Sequence, residues 1–86
     1  MRINFDFLDL QSFLAVMDTG SFLSASQKLG LSQSSVTRRI KKLEQTLDVQ
    51  LFLRTTREVK PTLAAKRLRQ RAEFILNETS ILSSFL

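Results

Sequence analysis

Gln33, Ser34, Thr37 and Arg38 follow one another within six residues, and Lys41 and Lys42 lie one helical turn further on. A helix that offers amide and hydroxyl groups first and cations next suits the major groove of a duplex. Gln pairs with adenine, Arg with guanine, and Ser or Thr with either. Ser32 at the head of this segment, Arg39 and Lys42 along it, and Arg54, Thr55 and Arg57 beyond it are residue types that bind phosphate oxygens. Such contacts fix register on DNA without reading its sequence. Taken alone, the same residues also describe a solvated polar helix face.

Other chemistries lack their reagents. The chain has no cysteine and no histidine, so disulfides, thiolate-ligated zinc and the commonest general base are all missing. The carboxylates are scattered along helices rather than paired, and 86 residues leave little room for an enclosed catalytic cavity. The reading is therefore not an enzyme, with no catalytic residue, no metal and no cofactor expected. No apolar run approaches the ~20 residues that span a bilayer. Asp6 and Asp9 stand where a signal peptide would be basic and then apolar. A cytoplasmic protein with no membrane partner is expected.

The formal charge of +5 is unevenly placed. Residues 32–60 hold seven cations against three anions, whereas residues 1–31 carry a net −1. The positive field is centred on the segment that begins at Ser32 and on the hairpin residues after it, which favours a polyanionic partner.

The elements needed to position these groups are legible from spacing. A first helix is expected from about Asp6 to Met17, with Leu10, Phe13, Leu14 and Met17 on one side and Thr19 and Gly20 ending it. Ser21 caps a second helix carrying Phe22, Ala25 and Leu29, which Gly30 stops. Ser32 caps a third, in which Val36, Ile40, Leu43 and Leu47 face the core and residues 33–47 present their polar side outward. Leu51 to Lys60 reads as a small hairpin with a basic tip, closed by Pro61. Thr62 then caps a long last helix whose stripe of Leu68, Ala72, Ile75, Leu76, Thr79 and Leu82 needs a cover. An antiparallel second copy would supply it and would pair two reading heads on one duplex; folding back onto its own domain is the alternative.

Phe13 to Val16, Gly20-Ser21-Phe22, Ser32-Gln33, Arg38, Ile40, Leu43-Glu44, Leu47, Val49, Leu51-Phe52, Arg54, Thr62 and Ala64 stand in an order and spacing that resembles the N-terminal DNA-binding region of LysR-type transcriptional regulators. The resemblance covers nearly the whole chain. It implies a mainly α fold, a winged helix-turn-helix over 1–61 (three-helix core plus short β-hairpin wing), followed by a linker helix over 62–86 that dimerises. It places Gln33, Ser34, Thr37 and Arg38 at the major groove and Arg54 at the wing. It further implies an inverted-repeat, A·T-biased operator in the bacterial cytoplasm, association with the nucleoid, and a tetramer in a full-length protein. A small-molecule effector would act through a C-terminal domain, and the chain reads as a DNA-binding fragment without it.

Four residues depart from the family pattern. Ser26 replaces a second Ala and can bond back to a carbonyl one turn earlier. Ser34 replaces a Pro, which bears on sequence preference. Asp48 replaces a Gly at a left-handed helix end, and Ala65 replaces a Gly in the last helix, where Ala is favoured by up to ~1 kcal/mol. The reading from another class is a helical protein-interaction module, which leaves the basic hairpin unused.

Overall fold

The computed structural model describes residues 4–55 and 58–85, with the backbone alone at Phe85. Helix α1 spans Phe7–Thr19, α2 Phe22–Leu29 and α3 Gln33–Leu47; strands β1, Phe52–Arg54, and β2, Val59–Pro61, form an antiparallel hairpin; α4 spans Leu63–Phe85. No helix among the described residues is long and apolar enough to cross a membrane.

Side chains start and stop the first three helices. Asp6 caps α1 by accepting from the Asp9 backbone N–H, while the Asp9 carboxylate accepts from the Asp6 N–H, so two amides that lack helical partners are satisfied reciprocally. Ser21 accepts from the Ser24 N–H and Ser32 from the Ser35 N–H in the same way. All three helices end on a left-handed residue: Gly20, Gly30 and Asp48, the last with φ 54°. At Asp48 the Val49 N–H reaches the Glu44 carbonyl at 3.1 Å, which closes the helix and turns the chain toward β1.

Phe13, Val16, Val36, Ile40, Leu43 and Leu51 are fully buried between α1, α3 and the start of the hairpin. Burial of each large apolar side chain contributes about 1.5–3 kcal/mol before ordering costs. Phe52 joins the hairpin to this core, its ring 5.7 Å from Phe13 and 5.8 Å from Phe22, edge-on to the latter. Ser26 lies in the tight contact of α2, with its hydroxyl donating to the Leu23 carbonyl at 2.6 Å as expected.

The hairpin is held from both ends. The Glu44 carboxylate accepts from the Leu51 N–H at 2.7 Å, and the Thr62 hydroxyl donates to the Gln50 carbonyl at 2.6 Å while capping Ala65 of α4. Pro61 pairs with Phe52 inside the ladder rather than closing it, and the Thr62 N–H then bonds to the Leu51 carbonyl.

Helix α4 divides along its length. Ala65 and Ala72 are buried in the domain's own core with Leu68 packed against it, because α4 crosses α1 over its first turns. An ion pair from Arg69 to Asp18, at 2.8 Å, fastens the same stretch. Phe74 and Ile75 are exposed, and beyond Leu76 the helix stands clear, with Ile81 and Leu82 exposed too. The stripe read from spacing thus splits. Leu68 and Ala72 are used within the chain, Leu76 is half-buried, and Ile75, Thr79 and Leu82 are left open.

Candidate nucleic-acid interface

Helix α3 shows its apolar side to the core and leaves a polar strip outside. Gln33, Ser34, Thr37, Arg38, Lys41, Lys42 and Gln45 line one open surface depression. Gln33, Ser34, Arg38 and Lys41 are exposed and Thr37 is half-buried. The four residues read from sequence as base-reading are therefore brought onto one face. Lys41 and Gln45, absent from that set, share it because they follow Arg38 and Ser34 by three and eleven residues on the same side of the helix. Ser32 stays at the head of α3, its hydroxyl used as the cap and 3.2 Å from that of Ser34. The helix N-terminus adds a partial positive charge at this end.

Arg39 and Lys42 behave differently. Arg39 reaches Asp9 at 2.9 Å and Asp6 at 3.2 Å, and Lys42 reaches Asp9 at 2.8 Å. Their residue types and positions point both toward phosphates; the structure turns their charged ends to the first turn of α1. The cause is Asp9, whose side chain is fully buried. A buried carboxylate without countercharge is strongly destabilising, so the nearest cations on α3 are drawn to it. The Asp9 amide bonded to Asp6 holds the Asp6 carboxyl below its ordinary value; burial opposes this, and the nearby Lys42 and Arg39 charges add to the lowering. Arg38 and Lys41 have no ion pair among the described residues.

At the wing, the Arg54 guanidinium carbon lies 3.9 Å from the centre of the Phe22 ring, a cation–π stack on a ring that is itself buried. Gln33 and Arg54 border the same hollow, so the start of α3 and the wing flank one surface. Thr55 closes the wing turn: its hydroxyl accepts from the Glu58 N–H at 3.0 Å and its N–H donates to the Glu58 carbonyl at 2.9 Å. Arg57 lies outside the described residues. Phe22, Asp9 and Glu44 position this surface, and their spacing in the chain does not mark them for it.

The model for bacterial regulatory helix-turn-helix proteins of the lysR family matches residues 7–66. The chain belongs to the LysR family. Its residues 7–66 take in α1 to the start of α4, so the match includes the whole polar strip and the hairpin. An uncharacterized HTH-type transcriptional regulator in the ibpB-leuC intergenic region of Azotobacter vinelandii is 47% identical over 72 residues, covering 84% of this chain and 50% of that protein. The HTH-type transcriptional regulator YofA of Bacillus subtilis is 44% identical over 69 residues, covering 80% of this chain and 24% of that one. The chain spans half or less of the length of these curated relatives. Among solved structures, the CbnR DNA-binding domain in its complex with DNA superposes with a TM-score of 0.88 at 30% identity, covering 92% of this chain and 91% of that one. The BenM DNA-binding domain with catB site 1 DNA gives 0.89 at 32% identity, with 93% and 90% covered. Four helices and a two-stranded hairpin make this a winged helix-turn-helix, the DNA-binding domain of a LysR-type regulator.

Proposed function

We propose that the chain is the sequence-reading head of a bacterial cytoplasmic LysR-type regulator, with α3 in the major groove of double-stranded DNA and the wing on phosphates or in the neighbouring minor groove. Gln33, Ser34, Thr37 and Arg38 read base edges; Lys41, Arg54 and Thr55, with the Ser32 turn, meet the backbone. The observation that carries this reading is the uncovered strip of α3, whose amide and hydroxyl groups lie at the helix start and whose cations Arg38 and Lys41 have no ion pair among the described residues. Two DNA-binding domains of similar fold, solved on DNA, support it.

The proposal extends to a homodimer on an inverted repeat. The open half of α4, with Phe74, Ile75, Ile81 and Leu82 exposed, supports pairing with a second copy, and residues 62–86 then serve as the linker. Larger assembly and response to a small molecule are assigned to the longer protein of which such heads form part.

Selection from random duplexes at two salt concentrations tests the reading. An enriched inverted repeat whose retention falls steeply with salt is the expected outcome. Retention without enrichment removes the base-reading role, and no retention at either salt removes DNA as the partner.

A further inference from the structure

Helix α3 carries four cations, Arg38, Arg39, Lys41 and Lys42, yet they divide into two pairs by surroundings. Each residue step turns the helix by about 100°, which swings Arg39 from Arg38 toward α1 and leaves Lys42 at the edge of the polar strip. There the Asp9 carboxylate is filled on both oxygens: Oδ1 by Arg39 at 2.9 Å, Oδ2 by Lys42 at 2.8 Å and by the Asp6 N–H at 2.9 Å. The Asp9 side chain is fully buried, whereas that of Lys42 keeps 39% of its exposure, so Lys42 is within reach of a ligand lying on α3 and is nonetheless held. The Asp6, Asp9, Arg39 and Lys42 charges cancel.

Resting on the DNA-reading assignment above, we propose that buried Asp9 withholds Arg39 and Lys42 from the DNA backbone and leaves Arg38 and Lys41 as the cations that α3 presents to the duplex. A phosphate that drew Lys42 away would leave the buried Asp9 carboxylate with one countercharge fewer, and that opposes the exchange. Asp9 is then a positioning residue for specificity. It limits the sequence-independent part of binding, which scales with the number of phosphates neutralised, without touching the base-reading residues.

The test is the salt dependence of duplex binding by the whole chain. Asp9→Asn removes the charge and keeps an acceptor of the same shape. Each cation so released adds about 0.9 to the slope of log affinity against log salt, or about 3.5-fold in affinity between 50 and 200 mM. The expected result is a steeper slope for Asp9→Asn on random-sequence duplex, a smaller ratio of specific to non-specific affinity, and loss of the Lys42 share of that gain in Asp9→Asn/Lys42→Gln. A slope equal to that of wild type in a folded Asp9→Asn protein overturns the inference. Side-chain nitrogen NMR of the wild-type chain gives the second readout. Addition of duplex should shift the Lys41 Nζ and Arg38 Nε signals and leave Lys42 Nζ and Arg39 Nε in place; a Lys42 shift as large as that of Lys41 overturns the inference. If wild type binds no duplex at either salt, the DNA-reading assignment fails, and this inference with it. If wild type binds and the Asp9 or NMR result goes the other way, this inference fails alone.

Discussion

Replacement of Glu44 separates the role of the wing's anchor from that of its contacts. Leu51 is fully buried, and its N–H has the Glu44 carboxylate at 2.7 Å, while the Phe52 N–H lies at 3.4 Å from the same oxygen. In Glu44→Ala the amide of the buried Leu51 loses a charged acceptor, which costs about 2–3 kcal/mol. Glu44→Gln keeps a neutral oxygen within reach and costs about 1 kcal/mol. A chain of this size is stable by about 4–13 kcal/mol, so the alanine variant forfeits a large share. At about 4–8 °C per kcal/mol, the melting temperature falls by about 10–20 °C in Glu44→Ala and by about half that or less in Glu44→Gln. Circular dichroism melts measure both. β1 begins next to this clasp and carries Arg54, so the folded Glu44→Gln protein should also lose affinity by a similar factor on every duplex sequence. An alanine variant melting within about 2 °C of wild type, or a glutamine variant as damaged as alanine, refutes the argument that one buried amide governs the anchor.

Gln33→Ala should alter preference at one position of each half-site, at a cost of about 1–3 kcal/mol on the preferred sequence, read by repeating the duplex selection; unchanged ranking of all sites removes Gln33 from the reading face. Asp48→Gly relieves a left-handed side-chain conformation and an unfavourable charge at a helix C-terminus, offset in part by glycine's larger unfolded-state entropy, so urea melts should show a gain of about 0.5–1 kcal/mol. The Asp6 carboxyl is held below its ordinary value of 3.8, so its contribution is present above about pH 4 and lost as pH falls through the lowered value. The stability gap between wild type and Asp6→Asn should accordingly narrow on acidification below pH 4, and a gap that widened there would contradict the pairing.

Most of the fold is written locally. Ser21, Ser32 and Thr62 are hydroxyls one residue before an apolar helical pattern, and Gly20 and Gly30 come just after its end, so caps and stops are legible without any tertiary knowledge. Ser26 and Asp48 behave as their chemistry predicts for the same reason. Asp9 does not. An acidic residue in the first turn of a helix reads as a solvated charge, and its burial depends on Arg39 and Lys42, 30 and 33 positions away. The stacking of Arg54 on Phe22 joins two elements that spacing treats separately. On α4, periodicity gives the apolar side but not the point at which that side stops meeting α1, which is set by where Ala72 ends the close approach. The basic tip of the wing rests on Arg57, outside the described residues.

The short turns between the first three helices, two residues from Thr19 to Phe22 and three from Leu29 to Gln33, also determine how this domain comes into being. Contacts of α2 with α1 and with α3 join neighbours in the chain, and helical topologies rich in such local contacts fold in microseconds to milliseconds. A ribosome adds about 5–20 residues per second. The three-helix scaffold therefore has time to collapse and rearrange many times before Leu51, Phe52, Ala65 and Ala72 arrive to close it. The polar strip of α3 is shaped by the part of the chain made first, and the open half of α4 is added to a head whose form is already set.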